Sequence, residues 1–94
     1  MNELLQRYES IRLELAKLTY DHDRLELDTK IGIANDKLNY EQEGHKSTEA
    51  KTLAELKHKE ASQALLDLEH QIAKYKTEKQ ILEYQIQYGM KQYE

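Results

Sequence analysis

Apolar side chains along the first part of the chain recur at alternating steps of four and three: Leu4, Tyr8, Ile11, Leu15, Leu18, His22 and Leu25. A helix turns once every 3.6 residues, so this alternation keeps one stripe on one side of it, the pattern of a coiled-coil seam. A second stripe overlaps the first and runs through Leu13, Lys17, Tyr20, Arg24, Leu27, Ile31, Ala34 and Leu38. Either two faces of the helix are used, or the seam drifts between Leu18 and Leu27, as a departure from the strict seven-residue repeat makes a supercoil do. Drift makes Leu38 a seam residue. A break at Asp21-His22-Asp23 is the competing account, but no Gly or Pro accompanies it. A first helix over about 2–42 is the expectation. Gly32 costs about 1 kcal/mol relative to Ala in a helix interior. Between Ile31 and Ile33 it suits close packing or a slight kink rather than a stop.

The stop comes at Gln42-Glu43-Gly44, where Gly44 fits the left-handed position just past a helix end. Ser47 and Thr48 follow as N-cap candidates, without the Glu or Gln three residues on from Ser47 that would complete a capping box. A turn over about 43–47 then leads into a second helix over about 48–92. Its repeat is the most regular in the chain: Ala54, His58, Ala61, Leu65, Leu68, Ile72, Tyr75, Lys79, Leu82, Ile86 and Gly89. Beside it lies another stripe, Leu66, His70, Ala73, Thr77, Ile81, Tyr84 and Tyr88.

The fold class expected is all-α: two long helices closed into an antiparallel, coiled-coil-like hairpin at Gly44. Folding there pairs Leu38 with Leu53, Leu18 with Ile72, Leu15 with Tyr75, Tyr8 with Leu82 and Leu4 with Ile86. The predicted hairpin seam is therefore Leu4, Tyr8, Ile11, Leu15, Leu18, Leu38, Leu53, Leu65, Leu68, Ile72, Tyr75, Leu82 and Ile86. One such contact hides only one face of each helix. Leu13, Leu27, Leu66, Ile81, Tyr84 and Tyr88 are left over as a strip, and contiguous exposed apolar surface marks a contact site. They are the predicted partner-binding residues, with the protein itself or another helical protein as partner. Two hairpins forming a four-helix bundle is the simplest assembly.

Composition agrees with helices. Across 94 residues, 34 % are charged and 38 % belong to the apolar set, with no Pro, Trp, Phe or Cys, so Leu, Ile and Tyr must form any core. Without Cys there is neither a disulfide framework nor a thiolate zinc site. The formal net charge of −4 is concentrated in the first half. Phosphate backbones select a basic excess that this chain lacks. Lys57-His58-Lys59 and Lys74-Tyr75-Lys76 with Lys79 read as solvated faces paired with nearby Glu. A nucleic-acid-associated regulator working through Lys74, Lys76 and Lys79 is the weaker alternative. No apolar run reaches the ~20 residues of a membrane span or opens the chain as a signal peptide, so a cytoplasmic protein without membrane contact is expected.

Catalysis needs titratable groups held at defined positions in a concave site, and two packed helices offer little concavity. A site of His22, Glu26, Glu69 and His70 can be drawn across the hairpin. Helical-bundle metal sites use Glu-x-x-His pairs converging on one core; only Glu55 with His58 has that form, and Asp67 with His70 replaces Glu by Asp. Polar residues that fix the register of a seam are the simpler reading. Gly32, Gly44 and Gly89 stand too far apart for a phosphate loop. No cofactor, metal or catalytic residue is expected. A non-enzymatic interaction module follows: a small helical adaptor, subunit or inhibitor of a larger complex, of the kind phages and mobile elements carry as accessory proteins.

In length and in its mid-chain turn the whole chain resembles the small helical-hairpin substrates and partners of type VII secretion. That resemblance implies a secreted hairpin partner. Where the family has a Trp-x-Gly turn this chain has Gln42-Glu43-Gly44, and Tyr84 and Tyr88 are followed four residues on by Tyr88 and Gln92 instead of an acidic residue. Ser62-Gln63-Ala64-Leu65-Leu66-Asp67 is similar to the Ser-Gln-Glu-Leu-Asp signature of small sporulation phosphatases, with its Asp one residue late and on another helix face.

Overall fold

The computed structural model describes residues 2–93, with side chains described for residues 2–89. They form three helices, α1 (Asn2–Gln42), α2 (Ser47–Lys57) and α3 (Lys59–Tyr93), and no strand occurs among the described residues. The fold class is all-α. α1 runs unbroken through Asp21-His22-Asp23. On its surface, pairs one turn apart reinforce the helix, such as Lys30 Nζ at 3.0 Å from Glu26 and Lys37 Nζ at 3.7 Å from Glu41.

Gly44 ends α1 by adopting φ 103°, a conformation without steric penalty for glycine alone. The Gly44 N–H donates to the Glu41 carbonyl at 3.0 Å and the His45 N–H to the Tyr40 carbonyl at 3.1 Å. These two bonds define a Schellman motif, which satisfies carbonyls the helix end would leave bare. The Tyr40 ring meets the His45 ring edge-on at 5.7 Å beneath them. The motif delivers the chain to α2 one residue sooner than its side chains suggest. Lys46 is the N-cap, in extended backbone and without a side-chain cap bond, while Ser47 is already helical. Neither Ser47 nor Thr48 caps the helix; the Thr48 carbonyl instead accepts from the Thr52 hydroxyl at 3.1 Å.

The expected single second helix is two. His58 leaves helical geometry (φ −105°, ψ 22°), and its N–H reaches the Glu55 and Leu56 carbonyls. The interruption is one residue long, since the Ser62 N–H already returns to the His58 carbonyl at 3.0 Å. No Gly or Pro announces it. His58 is also the residue whose side chain contacts α1.

The chain divides into two compact units, Met1–Tyr20 with Leu68–Glu94, and Asp21–Asp67. In the first, Ile11, Leu15 and Leu82 form a buried cluster against which Leu4, Tyr8, Ile72 and Tyr75 pack, and Leu18 and Ile86 are buried as well. Arg7 forms an ion pair with Glu78 at its surface. In the second unit the buried side chains are small: Ala50 and Ala54 are wholly inaccessible, and Thr29 is buried.

Thr29 exposes a misreading of the seam. The first stripe of α1 does not drift; it continues in step through Thr29, Gly32 and Asp36, all buried or half-buried, while Leu27, Ile31 and Leu38 lie at the surface. Leu38, placed in the seam with Leu53 opposite, is 58 % exposed, although Leu53 itself is half-buried. At about 100° per residue, Leu38 sits about 200° around the helix from Asp36. Burying Leu38 would turn the helix over and expose Leu15 and Leu18. A seam anchored by large side chains keeps its phase even where the in-phase residues are polar.

The Thr29 hydroxyl has no hydrogen-bond partner, and an unsatisfied buried polar group costs about 1–3 kcal/mol. Thr29→Val should therefore raise stability by about 1 kcal/mol, read as a higher denaturation midpoint in urea. Ile11→Ala, at a site 2 % exposed, should lower it by about 2–5 kcal/mol.

Candidate protein-interaction surface

Two polar constellations tie the helices together, one in each unit. In the second unit His58 lies over Gly32. A Cβ on Gly32 would stand 2.7 Å from His58 Cε1, closer than atoms pack, so glycine is what admits the ring. His58 Nε2 donates to Asp36 Oδ2 at 2.6 Å, and Lys57 Nζ lies 3.6 Å from Asp36 Oδ1. The hydrogen bond from His58, helped by the Lys57 charge and opposed by partial burial, holds the Asp36 carboxyl below its ordinary pKa. His58, the residue that leaves helical geometry between α2 and α3, is the one that bonds Asp36. In the first unit the Tyr8 hydroxyl donates to Glu83 Oε1 at 3.0 Å. That bond, with some burial and the carboxylate's charge, raises the Tyr8 pKa. Leu5, Tyr8, Glu83, Ile86 and Gln87 line a shallow groove of about 220 Å³ there.

Neither constellation collects a ligand set. Among the described residues no three His, Asp or Glu side chains gather closely enough for a metal ion. His22 lies 3.2 Å from Asp23 and 3.8 Å from Glu26, and His58 turns to Asp36 rather than to Glu55. Among the described residues no helix is long and apolar enough to cross a membrane.

The second stripes tell a different story. Leu13, Leu27, Leu66, Ile81, Tyr84 and Tyr88 are all at least half exposed, Tyr84 at 70 %. Tyr20, Ile31, Leu38 and Leu56 join them. On α1 the exposed positions Leu13, Tyr20, Leu27, Ile31 and Leu38 follow their own four-three rhythm, two residues out of phase with the seam. On α3, Ile81, Tyr84 and Tyr88 stand two residues after the seam positions Lys79, Leu82 and Ile86, Leu66 stands two before Leu68, and both rows fall on the side of their helix away from the seam. The seam members Leu4, Tyr8, Leu65, Leu68, Ile72 and Tyr75 are half-buried, and Ile11, Leu15, Leu18, Leu82 and Ile86 are buried. Sequence reasoning missed Ala50 as a seam residue, although stepping back four from Ala54 reaches it. It also missed the pairing of Tyr8 with Glu83 and of Asp36 with His58, which no spacing within one helix encodes.

Gly32→Ala should destabilise the protein despite the better helix propensity of Ala, because the methyl displaces His58 from Asp36. In a His58→Ala background the same change should stabilise by about 1 kcal/mol, a reversal of sign that a double-mutant cycle of urea midpoints reads directly. Asp36→Asn should lower the thermal midpoint at neutral pH. Because the Asp36 pKa is depressed in the folded state, its contribution is complete above the unfolded value of about 3.9 and is lost as pH falls through the folded value. The gap between wild type and variant should then close below about pH 4.

Comparison with protein-family models, with curated proteins and with solved structures finds no match to this chain.

Proposed function

We propose that the protein is a non-enzymatic interaction module: an antiparallel helical hairpin that works by laying its second apolar stripes against helices of a partner, in the simplest case another copy of itself. What supports the hairpin is the pairing of contacts. Arg7 with Glu78, Tyr8 with Glu83, and Gly32 with His58 join residues whose numbers add to roughly ninety, as a chain folded back at Gly44 requires. The observation that carries the function is the uncovered row on each helix. Exposed apolar residues scattered singly need no explanation, but rows in helical phase do.

The mechanism is burial. Each large side chain covered contributes about 1.5–3 kcal/mol before entropy is charged against it, so a few suffice for binding. Tyr84 and Tyr88 are suited to anchor the contact, because Tyr offers a large surface with few rotatable bonds. Two hairpins in contact make a four-helix assembly, the simplest form of this association. The groove lined by Leu5, Tyr8, Glu83, Ile86 and Gln87 is shallow and open, which suits recognition rather than enclosure of a small substrate.

The test is light scattering during size exclusion with circular dichroism on the same samples. The wild type should have a mass above the monomer that grows with concentration. Tyr84→Ala combined with Tyr88→Ala should weaken association at least tenfold, about 1.4 kcal/mol, with helicity nearly unchanged. Equal loss of association and helicity would refute the separation between a folding seam and a binding stripe.

A further inference from the structure

The rows on α1 and α3 also carry a charge pattern, and it indicates which helix meets which. On α1 the acidic side chains Asp21 and Asp23 flank the stripe between Tyr20 and Leu27; on α3 the basic side chains Lys74 and Lys76 flank it between Ala73 and Thr77. All four are exposed. They occupy the positions that border a coiled-coil seam, where opposite charges select partner and orientation.

Antiparallel alignment of the two stripes makes a specific match. Leu13 of α1 set opposite Tyr84 of α3 also sets Ile31 opposite Leu66, since each pair of residues is 18 apart on its own helix. In that same alignment Tyr20 meets Thr77, and on the two flanks of the contact Asp21 lies beside Lys74 and Asp23 beside Lys76. Two large apolar pairs and three of the four flanking charge pairs agree on this register, while Leu27 meets His70. Asp28 beside Asp67 is the like-charge pair it creates, against Lys30 beside Glu69 as a further attraction. Pairing α1 with a second α1 in antiparallel fashion fits less well. It matches Leu13 with Leu38 and Tyr20 with Ile31, but Asp21 beside Asp28 twice over cancels Asp23 beside Lys30 twice over, leaving no net charge attraction.

We infer that the occupant of these stripes is a second copy of the chain, with the exposed face of α1 in one copy lying antiparallel on the exposed face of α3 in the other, held in register by Asp21 and Asp23 against Lys74 and Lys76. This rests on the self-association proposed above and names its helices. Each contact uses one stripe from each copy. The remaining α1 and α3 stripes, each opposite its own seam, are left for further copies.

Charge reversal in trans tests it. Asp21→Lys with Asp23→Lys in one variant, and Lys74→Glu with Lys76→Glu in another, each place like charges across the proposed contact. At low salt each variant alone should associate roughly tenfold or more weakly than the wild type, with helicity retained by circular dichroism. Mixed in equal amounts, the two should recover wild-type association, because lysines on one α1 now face glutamates on the other α3. If both variants associate as tightly as the wild type, while Tyr84→Ala with Tyr88→Ala disrupts association, the α1–α3 register is wrong although self-association stands. Failure of the mixture to recover would likewise overturn the register. A wild type that remains monomeric at every concentration would overturn self-association itself, and this inference with it.

Discussion

The phase of one seam governs everything else in this chain. Ile11, Leu15, Leu18, Leu82 and Ile86 fix which side of α1 and of α3 is buried, and a helix is stiff enough in torsion to carry that choice along its whole length. Thr29, Gly32 and Asp36 are inside because they are in step with those large residues, not because they favour burial. Leu27, Ile31 and Leu38 are outside for the same reason. Hydrophobicity selects the face collectively; single residues then go where the helical period sends them.

The two units use this seam differently. The first is closed by large side chains in mutual contact, with an ion pair and the Tyr8–Glu83 hydrogen bond at its border. The second has alanines, a glycine and a threonine at the corresponding positions, and relies on a hydrogen-bonded His58–Asp36 pair seated over Gly32. Small side chains bury little apolar area, so less hydrophobic stabilisation is available there. Regions with few buried apolar contacts open first in a folded protein, and the second unit has that character. Its specificity comes from polar geometry: one ring, one carboxylate and one position without a Cβ.

α1 carries apolar residues on two opposite sides, one buried and one exposed. The second stripe keeps the four-three spacing that a partner helix reads, and the charges beside it alternate in sign between α1 and α3. Those features suit association between helices better than chemistry on a small molecule.

Much of this was legible in the residues alone. Helical class follows from composition and from the absence of Pro; the end of α1 follows from Gly44, where only a residue free to adopt positive φ can close a Schellman motif; the regular seam of the second half follows from spacing. All of these are local, set by the period of one helix or the backbone freedom of one residue. The overlap of two stripes on α1 could not be resolved in this way, because a stripe by itself does not say whether it faces a neighbour or water. Tertiary packing decided it, by keeping Asp36 in phase and leaving Leu38 exposed. The break at His58 coincides with a tertiary contact, since the residue it bonds, Asp36 on another helix, is twenty-two residues away in sequence. Periodicity within a helix is written in the chain; the choice between faces, and the contact at a helix break, depend on what lies across the seam.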